Sequence, residues 1–176
     1  MFTHIRTSLR ELVSPGVEHR MLVSSDKTSY RKLSVSLLTI EPGMETESVR
    51  PGEESIYFVI DGRGTAVVNW LKGLWRYPVK PYSTLWIPGL QHRIRNCGDA
   101  SLRCLLAAFG PLDELDDRYI FVEVSDANKQ PSRLYLGGNE VFIFTPGTLG
   151  PKSRLNYCGY ATLYPGGSMH PHVPTD

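Results

Sequence analysis

Cysteine is scarce in this chain, and charge of neither sign gathers. The three cysteines, Cys97, Cys104 and Cys158, are odd in number and far apart. Such spacing makes neither a zinc site nor a disulfide framework. Reduced thiols in a cytoplasmic protein are the expectation, with Cys104 packed inside a strand. Nineteen Lys and Arg stand against 18 Asp and Glu, with no basic cluster. A surface that tracks phosphates needs one, so no nucleic-acid partner is expected. No apolar run approaches the roughly 20 residues of a spanning helix, and no membrane partner is expected. His4, Arg6, Arg10 and Glu11 interrupt residues 1–13, which therefore lack the apolar centre of a signal peptide. The Gly-x-Ser-x-Gly elbow of a serine hydrolase is also missing. A long amphipathic period is absent, which argues against a helical fold.

What is present is punctuation. Sixteen glycines and 13 prolines are spread over 176 residues, of which 41% are hydrophobic. That combination predicts many short strands around one globular core. Leu9 to Val13 reads as a short helix or an edge strand, stopped by Ser14-Pro15-Gly16. Leu22-Val23 and Leu33 to Ile40 read as strands. In the latter, Val35, Leu37 and Thr39 share one face, and Leu38 and Ile40 the other. Ile56 to Ile60 is apolar throughout, as in a strand buried on both sides. Asp61-Gly62-Arg63-Gly64 turns the chain, and no helix pattern follows that would make it a phosphate cradle. Thr65 to Trp70 and Leu74 to Val79 form a hairpin about Leu71-Lys72-Gly73. Leu85-Trp86-Ile87 ends at Pro88-Gly89. Gln91 to Arg95 then alternates, with His92, Ile94 and Asn96 on one face and Arg93 and Arg95 on the other. Leu102 to Ala108 completes about eight strands.

Two blocks carry more than strand pattern. The first is Pro42-Gly43 followed by Glu53 to Gly64, and the second runs from Ser83 to Asn96. Together they resemble the two signature motifs of the cupin superfamily. That resemblance implies an all-β fold, the jelly-roll-like double-stranded β-helix barrel. It also implies a metal site in the barrel, and there the match fails. Counted back from Gly62, the motif's glutamate position is Ser55, and its two histidine positions are Val49 and Pro51. Glu54 sits one residue early, which turns its side chain to the opposite face. The second motif keeps Pro88-Gly89 and then His92 and Asn96. A metal needs three or more protein ligands, and His92 alone does not supply them. No metal is expected in this barrel. His92, Tyr57, Trp86 and Arg50 are the candidate ligand-pocket residues: a polar group inside the barrel, aromatics that can line its mouth, and a cation for an anionic ligand. No catalytic residue is assigned.

After Pro111 the composition shifts. Leu112 to Arg118 is acidic, and Tyr119 to Val124 reads as a strand. Asp126 to Arg133 is loop-like, and Val141 to Phe144 reads as another strand. Tyr157 to Gly166 then repeats the grammar of Leu33 to Gly43, an alternating strand that stops at Pro-Gly. His170-Pro171-His172 follows, resembling the opening of the first cupin motif. The expected organisation is a cupin barrel over 1–111, a connector over 112–134, and the opening strands of a second barrel, or a strand-exchanging tail, over 135–176. Alternate residues of an extended segment share a face, so His170 and His172 are the candidate metal ligands. Imidazole accepts Mn, Fe, Ni, Zn or Cu alike.

A ligand-poor first barrel followed by His-x-His is similar to the bicupins of the (S)-ureidoglycine aminohydrolase type. Two readings stay open. One is a metal-dependent bicupin enzyme of hydrolase, isomerase or dioxygenase type, acting on a small polar metabolite. The other is a non-catalytic module that binds a small molecule or dimerises. Open sheet edges and plentiful aromatics favour a homodimer under either.

Overall fold

The computed structural model describes residues 10–24, 33–49, 52–110, 123–126, 132–135, 138–144, 158–163 and 165. Every regular element among them is a strand. The chain runs through β1 (Arg10–Ser14), β2 (Val17–Val23), β3 (Leu33–Ile40), β4 (Glu54–Asp61), β5 (Gly64–Trp70), β6 (Gly73–Val79), β7 (Ser83–Pro88), β8 (His92–Asn96) and β9 (Leu102–Phe109). Four more follow: β10 (Glu123–Asp126), β11 (Ser132–Tyr135), β12 (Gly138–Phe144) and β13 (Cys158–Leu163). The segment that reads as either helix or edge strand is β1, paired antiparallel with β2. Ser132 to Tyr135, whose first two residues belong to the loop-like stretch, is also a strand. Its pairing with β12 supplies what its own four residues cannot specify.

Two sheets make the barrel. The larger has the order β1-β2-β3-β9-β4-β7-β10, the smaller β6-β5-β8. Their facing sides share one core that includes Leu38, Ile40, Tyr57, Val59, Ala66, Val68, Leu85 and Ile87. Fully burying each aliphatic side chain contributes about 1.5–3 kcal/mol before entropy is counted. Alternation decides which residues enter. Leu38 and Ile40 of β3 do, and Leu37 does not. On β8, His92, Ile94 and Asn96 are buried while Arg95 is exposed.

Close approach of the chain explains two glycines. Gly62 has φ +86°, and a Cβ there would lie 2.7 Å from the Leu102 Cα. A Cβ on Gly64 would run into the Arg95 carbonyl and the Leu102 side chain. Asn96 closes the adjoining 97–100 turn. Its Nδ2 donates to the carbonyls of Ile40 and Ala100, each at 2.8 Å, and its Oδ1 accepts from the Gly98 N–H at 2.9 Å.

Strand β10 lies within the expected connector and pairs with β7 at the edge of the large sheet. Strands β11, β12 and β13 form a separate three-stranded sheet. No described helix is long and apolar enough to cross a membrane.

Candidate functional site

β8 starts just past the Pro88-Gly89 corner, so His92 is its first residue and points inward beside Val68, its partner on β5. From the large sheet, alternation on β4 turns Ser55, Tyr57 and Val59 inward. Tyr57 and His92 meet across the gap between the sheets, each only 1% exposed. The Tyr57 hydroxyl lies 2.9 Å from His92 Nε2, and the rings meet edge to face at 5.5 Å. On the other side of the imidazole, Nδ1 lies 2.6 Å from the Leu90 carbonyl oxygen. A carbonyl only accepts, so Nδ1 carries the proton and donates it there. Nε2 is then the acceptor, and the Tyr57 O–H donates to it.

Electrostatics agree with that assignment. Burial lowers the His92 pKa below its ordinary value, opposed by the Leu90 hydrogen bond, and this favours a neutral ring. Burial also pushes the Tyr57 phenol well above its usual range, with the nearby Cys104 adding to the rise and the Ser55 hydroxyl opposing it. The pair is neutral with its polar hydrogens engaged, as a buried pair must be.

The motif's ligand positions can now be located. Val49 forms a bridge with His92 and donates its N–H to the His92 carbonyl at 2.7 Å. The backbone therefore brings the first histidine position to the right place, but the side chain is an isopropyl group. Ser55, at the glutamate position, faces inward and is 1% exposed. Glu54 faces the other way. It is fully buried on the far side of the sheet and accepts a hydrogen bond from Trp86 Nε1 at 2.6 Å. No group of three or more His, Cys, Asp or Glu that could hold a metal occurs among the described residues. The described inward residues of this barrel do not fit a metal: the imidazole nitrogen that would bind one already accepts from Tyr57.

Of the candidate pocket residues, the structure brings Tyr57 and His92 together. It places Trp86 on the opposite face of the large sheet with Glu54, one residue out of phase with Leu85 and Ile87. Arg50, His170 and His172 lie outside the described residues. Trp70 and Trp75 read from the sequence chiefly as core or interface aromatics and were not among the candidate pocket residues. The period-two series Ala66, Val68, Trp70 held the signal for Trp70. An open surface cleft of ≈520 Å³ also occurs, beside Ser14, Met44, Glu47 and Arg95 and away from Tyr57 and His92.

No protein-family model matches the chain. Auxin-binding protein 1 of Arabidopsis thaliana is 27% identical over 103 residues, 55% of this chain and 52% of that protein. The chain thus spans about half the length of the curated relative it matches. Among solved structures, a variant of oxalate decarboxylase from Bacillus subtilis superimposes with a TM-score of 0.63 at 13% identity. That match covers 81% of this chain and 52% of the other. A predicted oxalate decarboxylase from Thermotoga maritima gives 0.54 at 22% identity, over 62% of this chain and 99% of its own. The Bacillus enzyme has Mn(II) centres. These likenesses establish the all-β cupin fold.

Proposed function

We propose that residues 1–111 of this cupin chain form a metal-free barrel that binds a small polar metabolite, as the first barrel of a metal-dependent bicupin. The observation that carries this reading is the Tyr57–His92 hydrogen bond. It occupies the one imidazole nitrogen left for a metal in a barrel whose other ligand positions are Val49, Pro51 and Ser55. Chemistry that needs a divalent ion then belongs to a second barrel that opens over 135–176, after the 112–134 connector, with His170 and His172 as its first ligands. Two coverages support that organisation. A whole one-barrel-sized chain matches 62% of this one, while about half of the longer Bacillus enzyme matches 81%. The separate β11-β12-β13 sheet is consistent with it.

Mn, Fe, Ni, Zn and Cu all suit imidazole ligands, and Mn is the ion of the Bacillus relative. That a relative is named for binding auxin supports a small organic ligand here. A cytoplasmic homodimer completes the reading. Metal content of the purified protein tests it. The His92→Ala variant should keep the wild-type metal content, and the His170→Ala/His172→Ala variant should lose it. Loss of metal from His92→Ala alone would sink the assignment.

The closed hydrogen bonding of Tyr57 and His92 also favours a second reading, a non-catalytic binding or dimerisation module. Protein that takes up no divalent metal yet is stabilised by a small ligand would select it.

A further inference from the structure

The smaller sheet carries a feature that the buried pair does not use. On β5, Ala66 and Val68 belong to the core, and Trp70, two residues on, packs against it. On β6, Val79 is core and Tyr77 packs against it, so Trp75 continues the same inward face. The register agrees: Val68 pairs with Trp75 on one side and with His92 on the other. A row Trp75–Val68–His92 therefore crosses the sheet on its interior side. Val68 and His92 are sealed, but Trp75 is 49% exposed. β6 is an edge strand of the smaller sheet, so the half-exposed Trp75 stands where the inner face of the barrel meets solvent.

At that edge the two indoles stand 6.0 Å apart with their planes 50° to one another. Trp75 Nε1–H donates to the Trp70 carbonyl at 3.2 Å, which uses the only polar group of the ring, so what the half-exposed indole offers to solvent is apolar ring surface. The hairpin between them is a two-residue turn with Leu71 and Lys72 both at positive φ, 48° and 61°. Such a turn is short and stiff, so the pair is held without a flexible arm.

We infer that Trp70 and Trp75 form a mouth subsite for a planar aromatic or heteroaromatic ring, stacked on the exposed surface of Trp75. This deepens the small-molecule reading above and rests on it. The ring class follows from the chemistry: an indole with its N–H engaged offers dispersion and a quadrupole, which favour flat π systems over saturated rings.

Nicotinamide and cyclohexanecarboxamide carry the same amide on a flat and a puckered ring, and they make the test. Each is titrated to about 10 mM, the range in which fragments of this size bind, while the indole N–H resonances are followed by NMR. Nicotinamide should give a saturable shift of the Trp75 resonance, assigned with Trp75→Phe. The saturated amide should bind at least about fivefold more weakly, the low end of what ring stacking contributes. Trp75→Leu should weaken nicotinamide about tenfold or more, and Trp75→Phe, which keeps a ring, should hold it within about threefold. Equal binding of the two amides, unchanged binding by Trp75→Leu, or no saturable shift overturns the subsite. A ligand of another class that stabilises wild type and Trp75→Leu equally would leave the small-molecule reading standing and this inference refuted.

Discussion

Tyr57→Phe removes one oxygen from the centre of the barrel and little else. The ring keeps its shape, so no cavity opens and the core contacts of Tyr57 remain. What is lost is the donor to His92 Nε2, which stays buried at 1% exposure. A buried acceptor left unpaired costs about 1–3 kcal/mol. For a chain of 176 residues each kcal/mol is worth about 2–4 °C in Tm, so melting should fall on the order of 5 °C. Urea unfolding followed by circular dichroism reads the free energy directly, and the m-value should not change. The pH dependence supplies the second arm. The folded-state pKa of His92 lies below its ordinary 6.5. Unfolded chains therefore bind the proton first as pH falls. The stability contributed by the neutral ring is complete above pH 6.5 and is lost below it, through the lowered folded pKa. Protonated Nε2 cannot accept from Tyr57, so the gap between wild type and Tyr57→Phe should narrow in acid. A variant that costs under about 0.5 kcal/mol near neutrality, or a gap that widens below pH 6.5, would refute the hydrogen-bond argument.

Four further outcomes follow from the same geometry. Asn96→Ala strips two donors and one acceptor from a fully buried clamp and should cost about 2–3 kcal/mol in urea unfolding. Gly64→Ala, which drives a methyl group into the Arg95 carbonyl and Leu102, should destabilise by about 2 kcal/mol, measured the same way. Leu71→Asn with Lys72→Gly relieves two left-handed residues at the β5–β6 turn and should raise stability by about 1 kcal/mol while leaving the Trp70–Trp75 pair in place, as seen by near-ultraviolet circular dichroism. Burial raises the Cys104 thiol from 9.0 to about 12. The unfolded thiol ionises first, so stability should fall as pH rises from about 9 toward 12, and Cys104→Ala should flatten that part of the profile in alkaline urea titrations.

Much of the barrel was legible because strand faces are a local property. The alternation His92, Ile94, Asn96 against Arg93 and Arg95 is visible in five residues, and burial follows it. The same arithmetic placed Glu54 out of phase with Ser55, and the structure has it on the far side of the sheet. Trp86 was legible only as an aromatic in a buried strand. Every residue of β7 is buried, and Ser83 and Thr84 put one small polar side chain on each face, so polarity did not tell the two faces apart. Asn96 was read as a motif position, whereas its three hydrogen bonds depend on the 97–100 turn and on Ile40, 56 residues away.

By itself, the sequence determined most strands of the barrel, the proline–glycine corners between them, and the loss of ligand side chains at Val49, Pro51 and Ser55. Each of these is a statement about neighbours within a few bonds. Tertiary structure alone decided that Tyr57, on one sheet, would donate to His92, on the other, 35 residues along the chain. It also decided that the Ala66, Val68, Trp70 face would be the inner one. A strand's period says which side chains travel together. Only the packing of two sheets against each other says which of them leave water and what they meet there.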